Sequence, residues 1–437
     1  MRSSRVSVRD RVWMTTPVIR VAGPLEGCGP DRLRAALRVA YLTDPTCRVA
    51  SRLDPDHPRW EPLTGADIEA SLPDRVRDLG PAVPSRNGTA PVAASPEAVT
   101  DYLRDSPLDD RPLILAVQGP YVGIKASHGL GDGRIIDGLL AALLAAAAEP
   151  GTGVDARATA PRRGWRLPLL TAAGRQFAQH PSALVPALRV DRPPTPSTPE
   201  PGPGAETTAY VTASSEPGVV DRLRAYRDAR VPGVSVVALL SAAVYRAFAT
   251  SALSRPDPGV VMLIDARRYL PPDAVVPGNF SWGQYVRPDD PGDPRAYDRV
   301  LRSELASGRA LAMMALRDLH TILRPVREPT PPGLPEAPTP VLTLSHLGRL
   351  TAFDSLPWKP GAPRFVSLVP SAGPGSISLT LAEMRGAVHV SATFLDGGFD
   401  RADVADAVRR IADDPVALLA ASAADARPDS PSWPQAA

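Results

Sequence analysis

The spacing of apolar and polar residues divides the chain into helical and strand-like segments. Between Asp31 and Leu42, apolar residues recur with the helical period after Pro30, a residue typical of the first helical turn. Gly133–Ala148 is apolar on nearly every face, which predicts a buried helix. Strands are predicted at Thr16–Val21, Pro112–Gln118 and Tyr121–Ala126, the last two joined as a hairpin by Gly119-Pro120.

The second half of the chain repeats this mixture of elements. Val260–Ile264 is a continuous apolar run, which is typical of a strand buried on both faces. Tyr297–Leu323 and Asp400–Ala421 each keep a helical pattern over their whole length. The other predicted elements are a strand at Thr207–Thr212, helices at about Val219–Ala229 and Ser235–Thr250, and a closing sheet of Val341–Ser345, Phe365–Val369, Ser376–Leu381 and Ala387–Phe394.

Residues 191–206 separate the two halves. This segment, DRPPTPSTPEPGPGAE, contains six prolines and no large apolar residue, which is typical of a semi-rigid linker. Arg324–Pro340 is a second Pro-rich loop. A chain of 437 residues is long enough for two domains of about 200 residues each. We therefore predict an α/β fold with two domains, residues 1–190 and 207–437, of similar size.

Composition and charge exclude several kinds of partner and site. The chain has 49 Lys+Arg and 47 Asp+Glu, so no basic surplus indicates nucleic acid or an anionic membrane. Two cysteines, Cys28 and Cys47, rule out a disulfide framework and a multi-cysteine zinc site. The longest apolar stretch, Ile135–Ala148, contains Asp137 and is too short to span a bilayer. Residues 1–13 lack the apolar core of a secretory signal, so we expect a cytoplasmic protein.

The candidate chemistry lies in residues 127–133, SHGLGDG, between the hairpin and the buried helix. This segment is not a dinucleotide-binding fingerprint, because residue 134 is arginine where the third glycine would stand. What remains is the pattern HxxxDG, in which a neutral His128 can take a proton from an attacking hydroxyl or amine. Gly129 and Gly131 predict a loop, in which Asp132 can point away from His128. A structural interpretation stays open, with Asp132 as a helix cap and His128 as an ordinary strand-end residue.

Residues 126–133, ASHGLGDG, resemble the HHxxxDG signature of the chloramphenicol acetyltransferase-like superfamily. That superfamily includes nonribosomal peptide synthetase condensation domains, polyketide-associated acyltransferases, wax ester synthases and plant acyltransferases. Ser127 replaces the first histidine of the signature, and His128 matches the second, catalytic one. Three further segments resemble family motifs in the expected order: Leu263-Ile264-Asp265-Ala266-Arg267, Gly278-Asn279-Phe280 and Ser345-His346-Leu347-Gly348. The resemblance therefore covers most of the chain.

The resemblance implies a role for each matched residue. It implies that His128 is the general base and that Arg267 pairs with the motif aspartate to hold the loop. Ser345, at a strand end, is implied as the hydrogen-bond donor to the oxyanion, with His346 as an alternative residue near the site. The residues expected to be structural at the site are Asp132, Gly133, Arg267, Ser127 and Asn279. The sequence contains no metal-ligand spacing, so we expect no metal site.

The function implied by the resemblance is acyl transfer. The expected donor is an acyl thioester on coenzyme A or on the phosphopantetheine of an acyl or peptidyl carrier protein, present as a substrate and not as a permanent cofactor. The expected acceptor is an alcohol or amine in bacterial natural-product or lipid biosynthesis. The implied fold is two α+β sandwich domains arranged as a V around a central tunnel, in a monomer. Two alternatives stay open: a condensation-type enzyme that forms amides or esters, and a catalytically silent relative that binds carrier proteins.

Overall fold

Two mixed β-sheets form the framework of the protein in a computed structural model that describes residues 3–54, 56–80, 82–83, 92–149, 151, 153–154, 167–188, 208–323 and 338–421. The strands of the first half are β1 (Ser4–Arg5), β2 (Pro17–Gly23), β3 (Ser51–Asp54), β4 (Arg59–Pro62), β5 (Val76–Asp78), β6 (Ala82–Val83), β7 (Val92–Ala93), β8 (Leu113–Gln118) and β9 (Tyr121–Ser127). The helices of the first half are α1 (Val8–Arg11), α2 (Pro30–Thr43), α3 (Gly65–Arg75), α4 (Pro96–Asp105), α5 (Gly133–Ala148), α6 (Pro168–Gln179) and α7 (Leu184–Ala187).

The second half continues the same alternation of strands and helices. Its strands are β10 (Thr208–Ser214), β11 (Val260–Asp265), β12 (Ser281–Val286), β13 (Val341–Arg349), β14 (Arg364–Leu368), β15 (Ser376–Met384) and β16 (Ala387–Leu395). Its helices are α8 (Val219–Arg230), α9 (Val236–Ala249), α10 (Pro294–Ser307), α11 (Arg309–Leu323), α12 (Arg401–Asp413) and α13 (Pro415–Ala420). The mixture of α and β elements in both halves agrees with the predicted α/β class.

The first sheet has the strand order β14-β2-β9-β8-β5. β8 and β9 form the predicted antiparallel hairpin, and β9 pairs antiparallel with β2 so that Pro17 lies opposite Ser127. Buried residues of α2 and α5, including Leu37 and Leu140, pack on one face of this sheet, and α4 packs on the other face. The helix α5 has the predicted bounds, and only residues 128–132 separate it from β9.

The second sheet has the strand order β10-β16-β15-β13-β11-β12, with β13 parallel to both of its neighbours. Helices α8, α9, α12 and α13 cover one face through a continuous apolar core. The prediction that Val260–Ile264 is buried on both faces is wrong at Leu263, which is 37% exposed. The reason is that this side of β11 borders a cavity and not a second layer of helices.

Two segments predicted as single helices are each divided in the structure. Tyr297–Leu323 separates into α10 and α11 at Gly308, whose φ of +67° ends the first helix in the left-handed conformation. Asp400–Ala421 separates at Asp414, whose side chain accepts a hydrogen bond from the Ala417 N–H and caps α13. The apolar pattern continues across both breaks, so the period alone does not reveal them.

The strand predicted at Phe365–Val369 lies in a different sheet from the one expected. It was expected beside the other C-terminal strands, but β14 pairs antiparallel with β2 at the edge of the first sheet. Phe365 packs edge-on against Phe353 in the core of the first half, and Val366 packs with Val21. A short apolar run carries no information on which sheet edge it joins, because both edges accept the same backbone hydrogen bonds. β14 therefore links the second half of the chain to the first sheet.

The predicted linker at 191–206 lies outside the described residues, as do residues 324–337 of the second Pro-rich loop. None of the helices within the described ranges is both long enough and apolar enough to cross a membrane.

Candidate active site

His128 is the first residue after β9, and contacts from three directions hold it in place. Its backbone N–H donates to the Thr16 carbonyl at 2.7 Å, and its own carbonyl accepts from Asn279 Nδ2 at 2.7 Å. The imidazole stacks on the indole of Trp13, with 5.0 Å between ring centroids and 25° between ring planes. The ring is therefore oriented by packing as well as by its position at the end of a strand.

The imidazole of His128 is mostly enclosed by protein but borders a cavity. Burial lowers the pKa of His128 below its ordinary value, while the nearby Asp132 carboxylate acts in the opposite direction. The ring is therefore neutral at pH 7, the state in which it can accept a proton. Nδ1 is shielded from solvent. Nε2 is thus the ring nitrogen that a molecule in the cavity can reach.

Asp132 occupies the N-cap position of α5, but its side chain does not cap the helix. Its Oδ2 accepts from Arg267 Nη1 at 2.7 Å and from the Phe280 backbone N–H at 2.9 Å. The two charged side chains are 6% and 8% exposed. Arg267 also donates to the carbonyls of Val276 and Gly278, at 3.2 and 2.9 Å. The structure thus brings the aspartate of the first motif together with the arginine and the GNF segment of the second half.

Asn279 connects the His128 loop to the N-terminal helix α1. Its Nδ2 donates both to the His128 carbonyl and to Asp10 Oδ1, the latter at 2.9 Å, and its backbone N–H donates to the same Asp10 oxygen at 2.8 Å. Asp10 is only 1% exposed. Sequence reasoning did not identify Asp10, because a carboxylate among the charged residues of the N-terminus gives no sign of being buried.

Ser127, which stands where the family signature has its first histidine, forms part of the loop. Its Oγ donates to the Met14 carbonyl at 2.7 Å and accepts from the Gly129 N–H at 3.1 Å. Its side chain is buried. The hydroxyl therefore holds the turn that follows β9 and does not reach the cavity border.

A cavity of about 950 Å³ lies between the two halves of the chain. The first half contributes the His128 loop and the start of α5, including Gly133. The second half contributes residues of β11, β13 and β15 and the segment 369–372. Because both halves form its wall, a molecule bound there contacts residues that are far apart in the sequence.

Ser345 and His346 point to opposite faces of β13, as successive residues of a strand do. Ser345 shares the cavity side of the strand with Thr343 and Leu347. The ring of His346 is directed into the core of the second half, where its Nε2 lies 3.2 Å from Ser241 Oγ of α9. Burial lowers the pKa of His346 to about 4. Both candidates border the cavity, and they differ in that the His346 ring contacts Ser241 while Ser345 makes no such contact with the described part of the core.

An ion pair between Arg20 and Asp137 forms another part of the cavity wall. Arg20 Nε lies 2.7 Å from Asp137 Oδ1, and the two side chains are 1% and 7% exposed. Sequence reasoning missed this pair although a signal was present. Arg20 interrupts an apolar strand and Asp137 interrupts an apolar helix, and buried charges are seldom left unpaired.

The side chains that could hold a metal ion do not cluster in the described part of the chain. No group of three or more His, Cys, Asp or Glu residues among the described residues is arranged for coordination. Cys28 and Cys47 are both buried and are not joined in a disulfide. Burial raises the pKa of each thiol to about 11, which leaves both protonated and poorly nucleophilic at neutral pH.

Several solved structures are similar to this chain over nearly its whole length. A trichothecene 15-O-acetyltransferase from Fusarium sporotrichioides is 14% identical with a TM-score of 0.61, over 95% of this chain and 94% of that one. The first condensation domain of the CDA synthetase is 17% identical with a TM-score of 0.54, over 96% and 98%. The F. sporotrichioides protein TRI101, solved with coenzyme A and T-2, is 16% identical with a TM-score of 0.56, over 94% and 97%.

The protein has the chloramphenicol acetyltransferase-like fold. The resemblance inferred from the HxxxDG segment is thereby confirmed at the level of fold. No family model matches the sequence, and no curated protein matches it. In this chloramphenicol acetyltransferase-like structure, the HxxxDG, D-x-R and Ser345 segments border one cavity although they are widely separated along the chain. The GNF segment contacts the HxxxDG loop.

Proposed function

We propose that the protein is an acyltransferase that moves an acyl group from a thioester to a hydroxyl or amine acceptor, with His128 as general base. The observation that carries this proposal is the position of the His128 ring, which borders the cavity between the halves and is kept neutral by burial. A neutral imidazole can accept a proton at physiological pH. Two neighbours support the proposal, since one is named an O-acetyltransferase and another was solved with coenzyme A.

The reaction requires two substrates to be aligned and one proton to be moved. Nε2 of His128 removes the proton from the acceptor O–H or N–H as that oxygen or nitrogen attacks the thioester carbonyl carbon. The carbonyl oxygen becomes an oxyanion, to which Ser345 Oγ donates a hydrogen bond. The intermediate expels the thiolate, which takes the proton back from the imidazolium. The products are an ester or amide and a free thiol, and His128 is neutral again.

The other motif residues hold the site in this proposal. Asp132 and Arg267 fix the loop against the second half, Asn279 fixes the His128 carbonyl, and Ser127 fixes the turn after β9. Gly133 lets α5 start close to the cavity. The reacting groups then meet between the two proposed parts of the chain, residues 1–190 and residues 207–437, of which the second also contributes β14 to the first sheet.

The proposed donor carries its acyl group on a phosphopantetheine arm, either in coenzyme A or on a carrier protein. A coenzyme A donor makes the protein a free-standing acyltransferase, whereas a carrier-protein donor makes it a condensation-type enzyme. Parallel assays with acetyl-coenzyme A and with an acetylated carrier protein distinguish the two. Tight binding of the carrier protein without acyl transfer to any acceptor would instead identify a catalytically silent relative.

The decisive experiment measures thiol release from acetyl-coenzyme A and from the acetylated carrier protein in the presence of a panel of alcohols and amines. His128→Ala is expected to lower turnover by about 10²–10⁴-fold, the usual contribution of a general base. His320→Ala, which changes an exposed histidine of α11, is the matched control and should retain wild-type turnover. Equal turnover of wild type and His128→Ala would contradict the proposal that His128 is the general base.

A further inference from the structure

Two polar atoms of the Arg20–Asp137 pair, Arg20 Nη2 and Asp137 Oδ2, are left without a hydrogen bond by the other described residues. Arg20 donates through Nε to Asp137 Oδ1 and through Nη1 to the carbonyls of Ile19 and Leu368. Within the described residues, no hydrogen bond reaches Arg20 Nη2 or Asp137 Oδ2. The residues are only 1% and 5% exposed, yet both border the cavity and neither atom is sealed from it. Buried side chains thus present one unused donor and one unused acceptor to the cavity.

Glycine at position 133 leaves no Cβ in front of these two atoms. A Cβ at position 133 would lie 3.1 Å from Leu347 Cδ2, 3.3 Å from Arg20 Nη2 and 3.8 Å from Asp137 Oδ2. We name the space bordered by Gly133, Arg20, Asp137 and Leu347 the Gly133 niche. Because Gly133 follows Asp132 directly, the niche lies beside the loop that carries His128.

The charges around the niche select for a neutral ligand. The Arg20 and Asp137 charges compensate each other, and Arg267 and Arg134, also at the cavity border, are each paired with a carboxylate. A charged ligand would lose its hydration here without meeting an uncompensated opposite charge. A neutral group with one acceptor and one donor matches both atoms, since Nη2 donates to its oxygen and Oδ2 accepts from its N–H or O–H.

We propose that the Gly133 niche is a binding subsite for a secondary amide or a hydroxyl group of a substrate, held between Arg20 Nη2 and Asp137 Oδ2. The identity of that substrate rests on the proposed function. A phosphopantetheine arm supplies amides, whereas a diol acceptor supplies a second hydroxyl beside the attacking one. In either case the niche fixes one substrate relative to His128, and its effect is on binding and alignment.

The first test does not depend on activity. Crystals of the wild-type protein and of two glycine variants are soaked in N-methylacetamide and, separately, in ethanediol. Gly133→Ala places a methyl group at the start of α5, where alanine suits a helix, and the Leu347 side chain, 3.1 Å from that methyl, has to shift slightly. Gly138→Ala is the matched control on the same helix, since Gly138 also borders the cavity but a Cβ there meets no atom within 4 Å. We expect a probe bridging Arg20 and Asp137 in the wild type and in Gly138→Ala but not in Gly133→Ala.

The second test identifies the source of the bound group. If the niche holds the pantetheine amide, Gly133→Ala should raise the Kd of coenzyme A, measured by calorimetry, about tenfold, and Gly138→Ala should not. If the niche holds an acceptor hydroxyl, Gly133→Ala should raise KM for a 1,2-diol about tenfold and leave KM for the matching mono-alcohol unchanged.

The outcomes separate the subsite from the acyl-transfer reaction. A niche that stays empty in soaked wild-type crystals, or that fills equally in Gly133→Ala, overturns the subsite and leaves Arg20–Asp137 a purely structural pair. Probe bound in the niche without any thiol release from the donors refutes acyl transfer and retains the subsite. If Gly133→Ala does not fold, the soaked wild-type crystals still show whether a probe binds between Arg20 and Asp137.

Discussion

Asp132 and Arg267 are 135 residues apart in the sequence, and their side chains meet at 2.7 Å across the two halves of the protein. The carboxylate stands at the N-cap position of α5 but bonds to the other half and not to its own helix. The Phe280 N–H donates to the same oxygen at 2.9 Å. This pair therefore couples the shape of the His128 loop to the position of the second half.

Removal of one partner of this pair should strongly destabilise the protein. Asp132→Asn leaves the Arg267 charge buried without its main counter-ion, and we expect a loss of about 3–5 kcal/mol in the free energy of unfolding. The measurement is urea unfolding followed by circular dichroism. The control is Arg134→Gln, which removes a side chain that is 72% exposed and 3.5 Å from Asp265, and which should cost less than about 1 kcal/mol. Equal losses for both variants would contradict the structural role of the Asp132–Arg267 pair.

The pH dependence of turnover should reflect the lowered pKa of His128. Burial favours the neutral ring, so the base stays active to a lower pH than an exposed histidine would. We expect kcat/KM to fall on the acid side with a midpoint below 6.5, the ordinary value for histidine. A pH–rate profile with acetyl-coenzyme A measures this midpoint. A midpoint at or above 6.5 would mean that the ring is more solvated, or more strongly paired with Asp132, than the structure indicates.

Two other buried histidines should make the fold sensitive to acid. Burial lowers the pKa of both His346 and His389 to about 4. A lowered pKa in the folded state means that protonation favours unfolding. The stability that the two neutral histidines contribute to the fold is therefore complete above the ordinary pKa of 6.5 and is lost as pH falls towards 4. Between pH 7 and pH 5, each histidine should lower the free energy of unfolding by about 2 kcal/mol.

Substitution of one of these histidines should reduce that acid sensitivity. In His389→Gln, the difference in unfolding free energy between pH 7 and pH 5 should be about 2 kcal/mol smaller than in the wild type. Chemical denaturation at both pH values gives this difference. His57→Gln is the control, because the His57 side chain is 79% exposed. An unchanged difference in His389→Gln would show that protonation of His389 does not limit stability in acid.

The contact between the GNF segment and α1 should make Gly278 difficult to replace. Gly278 has a φ of +84°, and a Cβ there would lie 2.5 Å from Asp10 Oδ2. Gly348 has a similar φ of +69° but no atom within 4 Å of its Cβ position. Gly348→Ala should therefore lower the free energy of unfolding only by the strain of the left-handed backbone, about 1–2 kcal/mol. Gly278→Ala should lower it by about 1–3 kcal/mol more, because Asp10 must also be displaced. Thermal melts of the two variants compare these costs, and equal shifts would show that Asp10 moves aside easily.

Part of the fold and of the candidate site could be predicted from local pattern. The β8–β9 hairpin and α5 have their predicted places, because a turn signal and an apolar helix of 16 residues act over short distances. The D-x-R arginine was expected to meet the motif aspartate, and it lies in contact with it. Local pattern did not predict which sheet contains β14, where the helices break at Gly308 and Asp414, or that Asp10 is buried. Each of these features depends on segments that are distant in the sequence.

The sequence by itself determined the α/β class, the HxxxDG loop between a strand and a buried helix, and the chemistry that a neutral His128 can perform. Periodicity, turn residues and side-chain chemistry are local properties, so they can be read without coordinates. Only the tertiary structure decided which sheet receives β14, that Asp132 turns from its helix to Arg267, and that Arg20, Asp137 and Gly133 border one cavity. These relationships depend on long-range pairing and packing, in which many segments of similar polarity compete for the same positions.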